Sequence, residues 1–145
     1  MCDFRYRKMR ESVDNRIQRG LNATFVEQND DVLEQTKAQL EEYFLGERSV
    51  FDIPLLLVGT DFQKSIWHAL EGIKYGETAT YLDLALSIGN EKAVRAVGNA
   101  NGANGLAIII PCHRIIGSQG SLVGYRGSLS LKKNPPQSKT QPTFP

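Results

Sequence analysis

Cysteine and histidine are both scarce in this chain, two of each in 145 residues, at positions 2 and 112 and at positions 68 and 113. Two cysteines so far apart do not make a disulfide framework, and both are expected to be reduced thiols. The four side chains close a structural zinc site only if distant Cys2 and His68 join, so neither a metal nor any other cofactor is expected. Long apolar runs are missing too. None approaches the roughly 20 residues of a membrane-spanning helix, and MCDFRYRKMR at the start has no signal-peptide core. The expectation is a cytoplasmic chain, in the nucleoid of a prokaryote or the nucleus of a eukaryote, with no membrane partner.

Charge of one sign is also lacking, since the formal net charge is +1. That balance hides an asymmetry. Residues 1–59 hold 8 Lys/Arg against 11 Asp/Glu, whereas residues 60–133 hold 8 against 5. A nucleic-acid contact belongs in the second part. With 41% hydrophobic and 23% charged residues the composition is that of a globular protein, and a domain of this length buries roughly 68–70% of its unfolded surface without cross-links.

Residues 1–28 carry scattered charge and no clear period, with LNATFVE as one short strand candidate. From Asp31 the residues Val32, Leu33, Thr36, Leu40 and Phe44 recur at helical spacing and Gly46 stops the run, which predicts a structural helix. FDIPLLLVG, residues 51–59, reads as an extended linker around Pro54. Thr60 with Gln63 three residues on is a capping signature, and Phe62, Ile66, Leu70 and Ile73 line the face of the helix it starts. Trp67 and His68 lie beside that face, and His68 reads as a partly buried structural histidine without a charged partner.

Thr80 and Asp83 signal a short helix to Ser87, and Asn90 is expected to cap another over EKAVRAVGNAN. Two short helices so joined are a helix-turn-helix candidate. Ala93, Val94 and Val97 suit its core side, leaving Lys92, Arg95, Ala96 and Asn99 on a small, cationic outer face. GANG, residues 102–105, reads as a flexible joint and LAIII, residues 106–110, as an apolar strand. A hairpin-like wing follows, with Ile115 and Ile116 on one arm, GSQG as its turn, and Leu122 and Val123 on the other. Four prolines in NPPQSKTQPTFP predict a disordered tail.

PCHR, residues 111–114, sits where this apolar run ends. A thiol attacks as its thiolate, and Pro111 suits the first position of a helical turn that would set Cys112 among unpaired backbone N–H groups. His113 and Arg114 add a base and a cation. Neighbouring side chains of a strand diverge, so proton transfer from Cys112 to His113 needs a turn or a bridging water. On these residues alone, a buried core thiol remains an equal alternative.

FQKSIWHAL, IKYGETATY, RAVGNANGANGLAIIIPCHRIIGSQGSLVGY and GSLSLKK resemble, in order and spacing, the O6-alkylguanine-DNA alkyltransferases, over about residues 31–133. The resemblance implies an α+β fold, with a shortened small N-terminal α/β region over 1–54, a winged helix-turn-helix alkyltransferase domain over 55–133 and a tail over 134–145. It implies a monomer that binds double-stranded DNA, flips an O6-alkylguanine or an O4-methylthymine, and takes the alkyl group irreversibly. On this pattern Cys112 is the acceptor, His113 its water-linked base, Tyr81 a donor to the leaving guanine, and Asn104 the brace of the active-site turn. Arg95 is the finger that replaces the flipped base, Lys92, Ala96 and Asn99 flank it on the DNA side, and Ile115, Arg126 and Gly127 line the base pocket. One departure stands out. The family continues after GSLSLKK as a helix of the form LLxxE, whose glutamate orients the histidine, whereas this chain has PPQSK and Lys139. A lesion-binding protein without transfer is therefore the alternative reading.

Overall fold

A computed structural model describes residues 1–117 of the chain. Among the described residues five α-helices and a two-stranded parallel sheet make an α+β arrangement: α1 Arg10–Leu21, α2 Asp31–Phe44, α3 Asp61–Glu71, β1 Ala79–Thr80, α4 Tyr81–Ser87, α5 Val94–Gly102 and β2 Ile115–Ile116. The second arm of the expected wing, the expected tail, Arg126, Gly127 and Lys139 lie outside the described residues.

The local start signals hold where side chains satisfy backbone donors. Thr60 Oγ1 accepts from Gln63 N at 3.1 Å while Gln63 Oε1 accepts from Thr60 N at 2.9 Å, and Thr80 and Asp83 make the same reciprocal pair at 3.0 and 2.8 Å. Asn90 does not cap α5 with its side chain; the chain enters α5 through a 3₁₀ turn, Glu91–Ala93. Val94 is exposed, so the inward face of α5 is Val97, Ala100 and Asn101. Together α3, α4 and α5 enclose the main core, which includes Ile66, Trp67, Leu70, Leu84 and Val97, and Ile110, Cys112 and Ile115 enter it from the loop that follows.

Several expectations fail for identifiable reasons. The N-terminal stretch forms α1 rather than a strand at LNATFVE, and Val13 and Ile17 of α1 close on Gly105. A Cβ at Gly105 would stand 3.0 Å from Ile17 Cδ1, so this glycine serves close packing rather than a flexible joint. On α2, Val32, Leu33 and Phe44 are exposed, and the buried pair is Gln39 and Tyr43. Gln39 is held there by exchanging hydrogen bonds with the backbone of Asp52, at 3.1 and 2.9 Å. His68 is exposed and pairs with Glu71 at 3.0 Å, an i,i+3 contact across one helical turn.

The run LAIII is not a strand. Ile108 has φ 71°, and Ile109 N donates to Ala107 O at 2.8 Å, so the chain reverses in a γ-turn centred on Ile108. Ile115 and Ile116 do pair, but in parallel with Ala79 and Thr80, in the register Ala79 to Ile115 and Thr80 to Ile116.

Trp67 ties α3 to α5, its Nε1 donating to Ala100 O at 2.9 Å, with the Arg16 guanidinium 5.2 Å from its ring. Trp67→Phe removes the indole donor to Ala100 O, which keeps its bond from Ala103 N at 3.1 Å, and weakens the cation contact, and is expected to lower unfolding free energy by about 1–2 kcal/mol in urea titration. An unchanged midpoint would contradict the tie.

Candidate active site

Cys112, His113 and Arg114 form a single 3₁₀ turn and are all buried, at 5%, 2% and 9% exposure. Pro111 has φ −80° and ψ 61°, the inverse γ-turn geometry, and Cys112 N donates to Ile110 O at 2.8 Å. The N–H of Cys112 is thus paired, not unpaired as the helix-start reading expected. A tight turn does replace the extended geometry that would send neighbouring side chains to opposite faces.

The turn is held from three directions. Asn104, buried, donates through Nδ2 to Ile110 O at 2.9 Å and accepts through Oδ1 from Leu106 N at 2.9 Å, closing the loop between α5 and Cys112. Asn101 donates from α5 to Cys112 O at 3.4 Å. From the N-terminal side, Arg7 donates to the carbonyls of Gly102 and Asn104 and pairs with buried Asp3, and Arg16 donates to Ala103 O at 2.8 Å. Cys2 adds backbone bonds to the same loop, to Gly105 O at 3.0 Å and from Ala107 N at 2.7 Å.

Tyr81 opens α4 and is buried against the same centre. Burial pushes its phenol above the ordinary value and the neighbouring Cys112 adds to this, while a hydrogen bond from Asn101 opposes both. The phenol therefore keeps its proton at neutral pH and remains a donor. Lys92, Arg95, Ala96 and Asn99 are all exposed along one side of α5 and its 3₁₀ entry, opposite buried Val97, Ala100 and Asn101. Ile115, expected in a base pocket, is fully buried in the core beside Cys112.

Family models match both parts of the chain: the DNA binding domain of 6-O-methylguanine DNA methyltransferase over residues 61–135, and its ribonuclease-like domain over residues 6–57. The chain belongs to this methyltransferase family. It is 52% identical over 106 residues to a methylated-DNA–protein-cysteine methyltransferase of Methanosarcina acetivorans, covering 73% of this chain and 68% of that one. It is 54% identical over 96 residues to the constitutive enzyme of Bacillus subtilis, covering 66% and 58%. The Mycobacterium tuberculosis OGT structure in complex with DNA superposes with a TM-score of 0.67 at 50% identity, over 70% of this chain and 63% of that one. The chain thus spans about 58–68% of the length of these relatives.

Within this methyltransferase fold the motif residues Tyr81, Asn104, Cys112 and His113 are all buried, and Arg95 stands apart on the exposed face. Sequence reasoning missed Asp3, Arg7, Arg16, Tyr43 and Asn101. Asp3 and Arg7 had a signal, opposite charges four residues apart, but it indicates only their mutual pairing. Tyr43 had none, because its partners His113 and Arg114 lie 70 and 71 residues away.

Asn104→Ala leaves Ile110 O and Leu106 N without their side-chain partners and is expected to cost about 3 kcal/mol of stability. Arg7→Ala removes the cationic partner of the buried Asp3 carboxylate, which keeps only its bond from Phe4 N among the described residues, and is expected to cost about 3–5 kcal/mol. Thermal and urea unfolding read both, and a loss under 1 kcal/mol in either variant would refute the bracing derived for it.

Proposed function

We propose that this chain repairs DNA by moving a methyl or larger alkyl group from O6-alkylguanine, and by the same chemistry from O4-methylthymine, onto Cys112. The observation that carries the reading is a buried Cys112–His113 turn, bonded through Asn101 to a helix whose opposite side exposes Lys92, Arg95 and Asn99. In this reading residues 55–133 act as a winged helix-turn-helix domain behind the short N-terminal region 1–54, with 134–145 as a tail, and the chain works as a monomer on double-stranded DNA.

Burial of Cys112 means that a base inside the duplex cannot meet it, so the base must leave the stack. Extrusion costs a few kcal/mol, which Arg95 offsets by filling the gap. Small Ala96 lets the helix approach the groove closely. His113, through a water, takes the Cys112 proton. The thiolate attacks the alkyl carbon, the S–C bond forms as the C–O6 bond breaks, and the guanine keeps the electron pair and takes up a proton, with Tyr81 as the nearby donor. Ile115 lies beside the reacting sulfur, and this reading assigns Arg126 and Gly127 to binding the base. The product is a thioether with no good leaving group, so one chain repairs one lesion.

Binding without transfer is the less favoured reading, because Cys112 and His113 are both present and the relatives are named as methyltransferases. Incubation with duplex DNA carrying labelled O6-methylguanine is expected to place one label per chain on Cys112, located by peptide mass, and Cys112→Ser is expected to take none. A folded chain that binds the lesion but gains no label would overturn the proposal.

Arg95→Ala is expected to slow transfer on duplex DNA far more than on the free base. Lys92→Ala is expected to reduce the salt dependence of DNA binding by about one counterion. Equal slowing on both substrates, or an unchanged salt slope, would count against the assigned face.

A further inference from the structure

Residues 4–10, FRYRKMR, hold four cations and no acid, although residues 1–59 as a whole hold more acids than bases. Arg7 N donates to Phe4 O at 3.3 Å, which closes a β-turn with Arg5 and Tyr6 at its two central positions. Both are exposed, as is Lys8 just beyond the turn, and the Arg5 guanidinium lies 5.7 Å from the centre of the Tyr6 ring. We propose that this turn is a second contact on duplex DNA, in which Arg5 and Lys8 each pair with a backbone phosphate. The contact rests on the reading above that α5 turns Lys92, Arg95 and Asn99 to the duplex.

Its position follows from the period of α5. Gly102 stands seven residues, two helical turns, after Arg95, so the stripe that exposes Arg95 and Asn99 ends on it. Gly102 is buried, because the N-terminal segment lies there: Arg7 donates to its carbonyl, and Asp3 and Phe4 line the same small cavity. The two ends of the β-turn are thereby fixed where the stripe ends, and its two central residues are left in solvent. An α5 about 14 Å long faces DNA that carries one charge per roughly 1.7 Å of axis, so contacts at opposite ends of the helix meet different phosphates of one site.

Not all of the charge at the turn is neutralised within the chain. Arg7 pairs with buried Asp3, and Arg10 stands 3.4 Å from Asp14. Arg5 and Lys8 have no acid partner among the described residues, and the acid that follows them is Glu11 in the first turn of α1. Stacking on the Tyr6 ring holds the Arg5 guanidinium while leaving its N–H edge to a phosphate. Each phosphate so neutralised releases a condensed counterion, and that release is read as salt dependence.

The test uses the full chain and an unmodified duplex, with binding followed against salt concentration. Arg5→Ala and Lys8→Ala are each expected to reduce the salt slope by about one counterion, and the double variant by about two. Lys37→Ala removes the same charge from an exposed position on α2 and is expected to leave the slope unchanged. Every variant is expected to take methyl from free O6-methylguanine at the unsubstituted rate, since that substrate has no phosphates.

An unchanged slope in the double variant overturns the proposal. So does a Lys37→Ala slope that falls as far as that of Lys8→Ala, because net charge is then the cause. Slower free-base transfer in the double variant overturns it as well, since the turn then serves the active-site loop rather than DNA. A slope that falls by about two in a chain that takes no label upholds the contact and defeats the transfer reading. Label transfer with an unchanged slope defeats the contact alone, and absence of duplex binding defeats both.

Discussion

The Asn104 amide bonds to Ile110 O through Nδ2 and to Leu106 N through Oδ1, and between those anchors the chain turns back on itself at Ile108. A β-branched residue at positive φ is strained, by about 1–3 kcal/mol, and persists only where its surroundings over-determine it. Those surroundings are the two Asn104 bonds, the Ile110 N to Leu106 O bond, and burial of Ile108 against Tyr43 and Tyr75. The reversal brings Ile110 and Cys112 into the core among α3, α4 and α5, while Ile108 goes to a second cluster under α2. Cys112 belongs to the first cluster, and His113 Nε2 lies 3.4 Å from the hydroxyl of Tyr43 in the second. The thiol meets the environment of Tyr81 and Asn101, and the imidazole that of Tyr43.

That division makes the first 58 residues part of the site's mechanics. Buried polar groups are tolerated when they are bonded, and a loop this tight leaves carbonyls that no helix or sheet satisfies. Arg7 and Arg16 supply donors to Gly102, Ala103 and Asn104 at the C-terminal end of α5, where positive charge also opposes the helix dipole. Gly105 has no side chain because α1 lies against it. The segment in which sequence periodicity is weakest is therefore the one that closes over the loop before Cys112.

What could be read from sequence was local. The Thr60 and Thr80 capping boxes hold because the donors and acceptors lie three residues apart, and the outward stripe of α5 follows from helical period alone. LAIII misled because five apolar residues in a row fit a strand and a buried turn equally well, and nothing in the run marks Ile108 for positive φ. The face of α2 was misjudged because apolar spacing was weighed above the hydrogen bonds that Gln39 and Tyr43 make with residues elsewhere in the chain. A phenol that meets a histidine 70 positions later leaves no periodic trace.

The outward stripe and the buried turn are coupled through one short helix. α5 runs only from Val94 to Gly102, and Asn101 on its inner side bonds the carbonyl of Cys112 while Asn99, two residues earlier, is exposed. Trp67 fixes the helix through Ala100 O and Arg7 fixes its end through Gly102 O. The helix is therefore joined to the sulfur-bearing residue by the Asn101 hydrogen bond and by the shared core of Val97, Ala100 and Cys112. The stretch 102–105 between them is pinned: its carbonyls are held by arginines, its asparagine spans the loop, and its last glycine is wedged against α1.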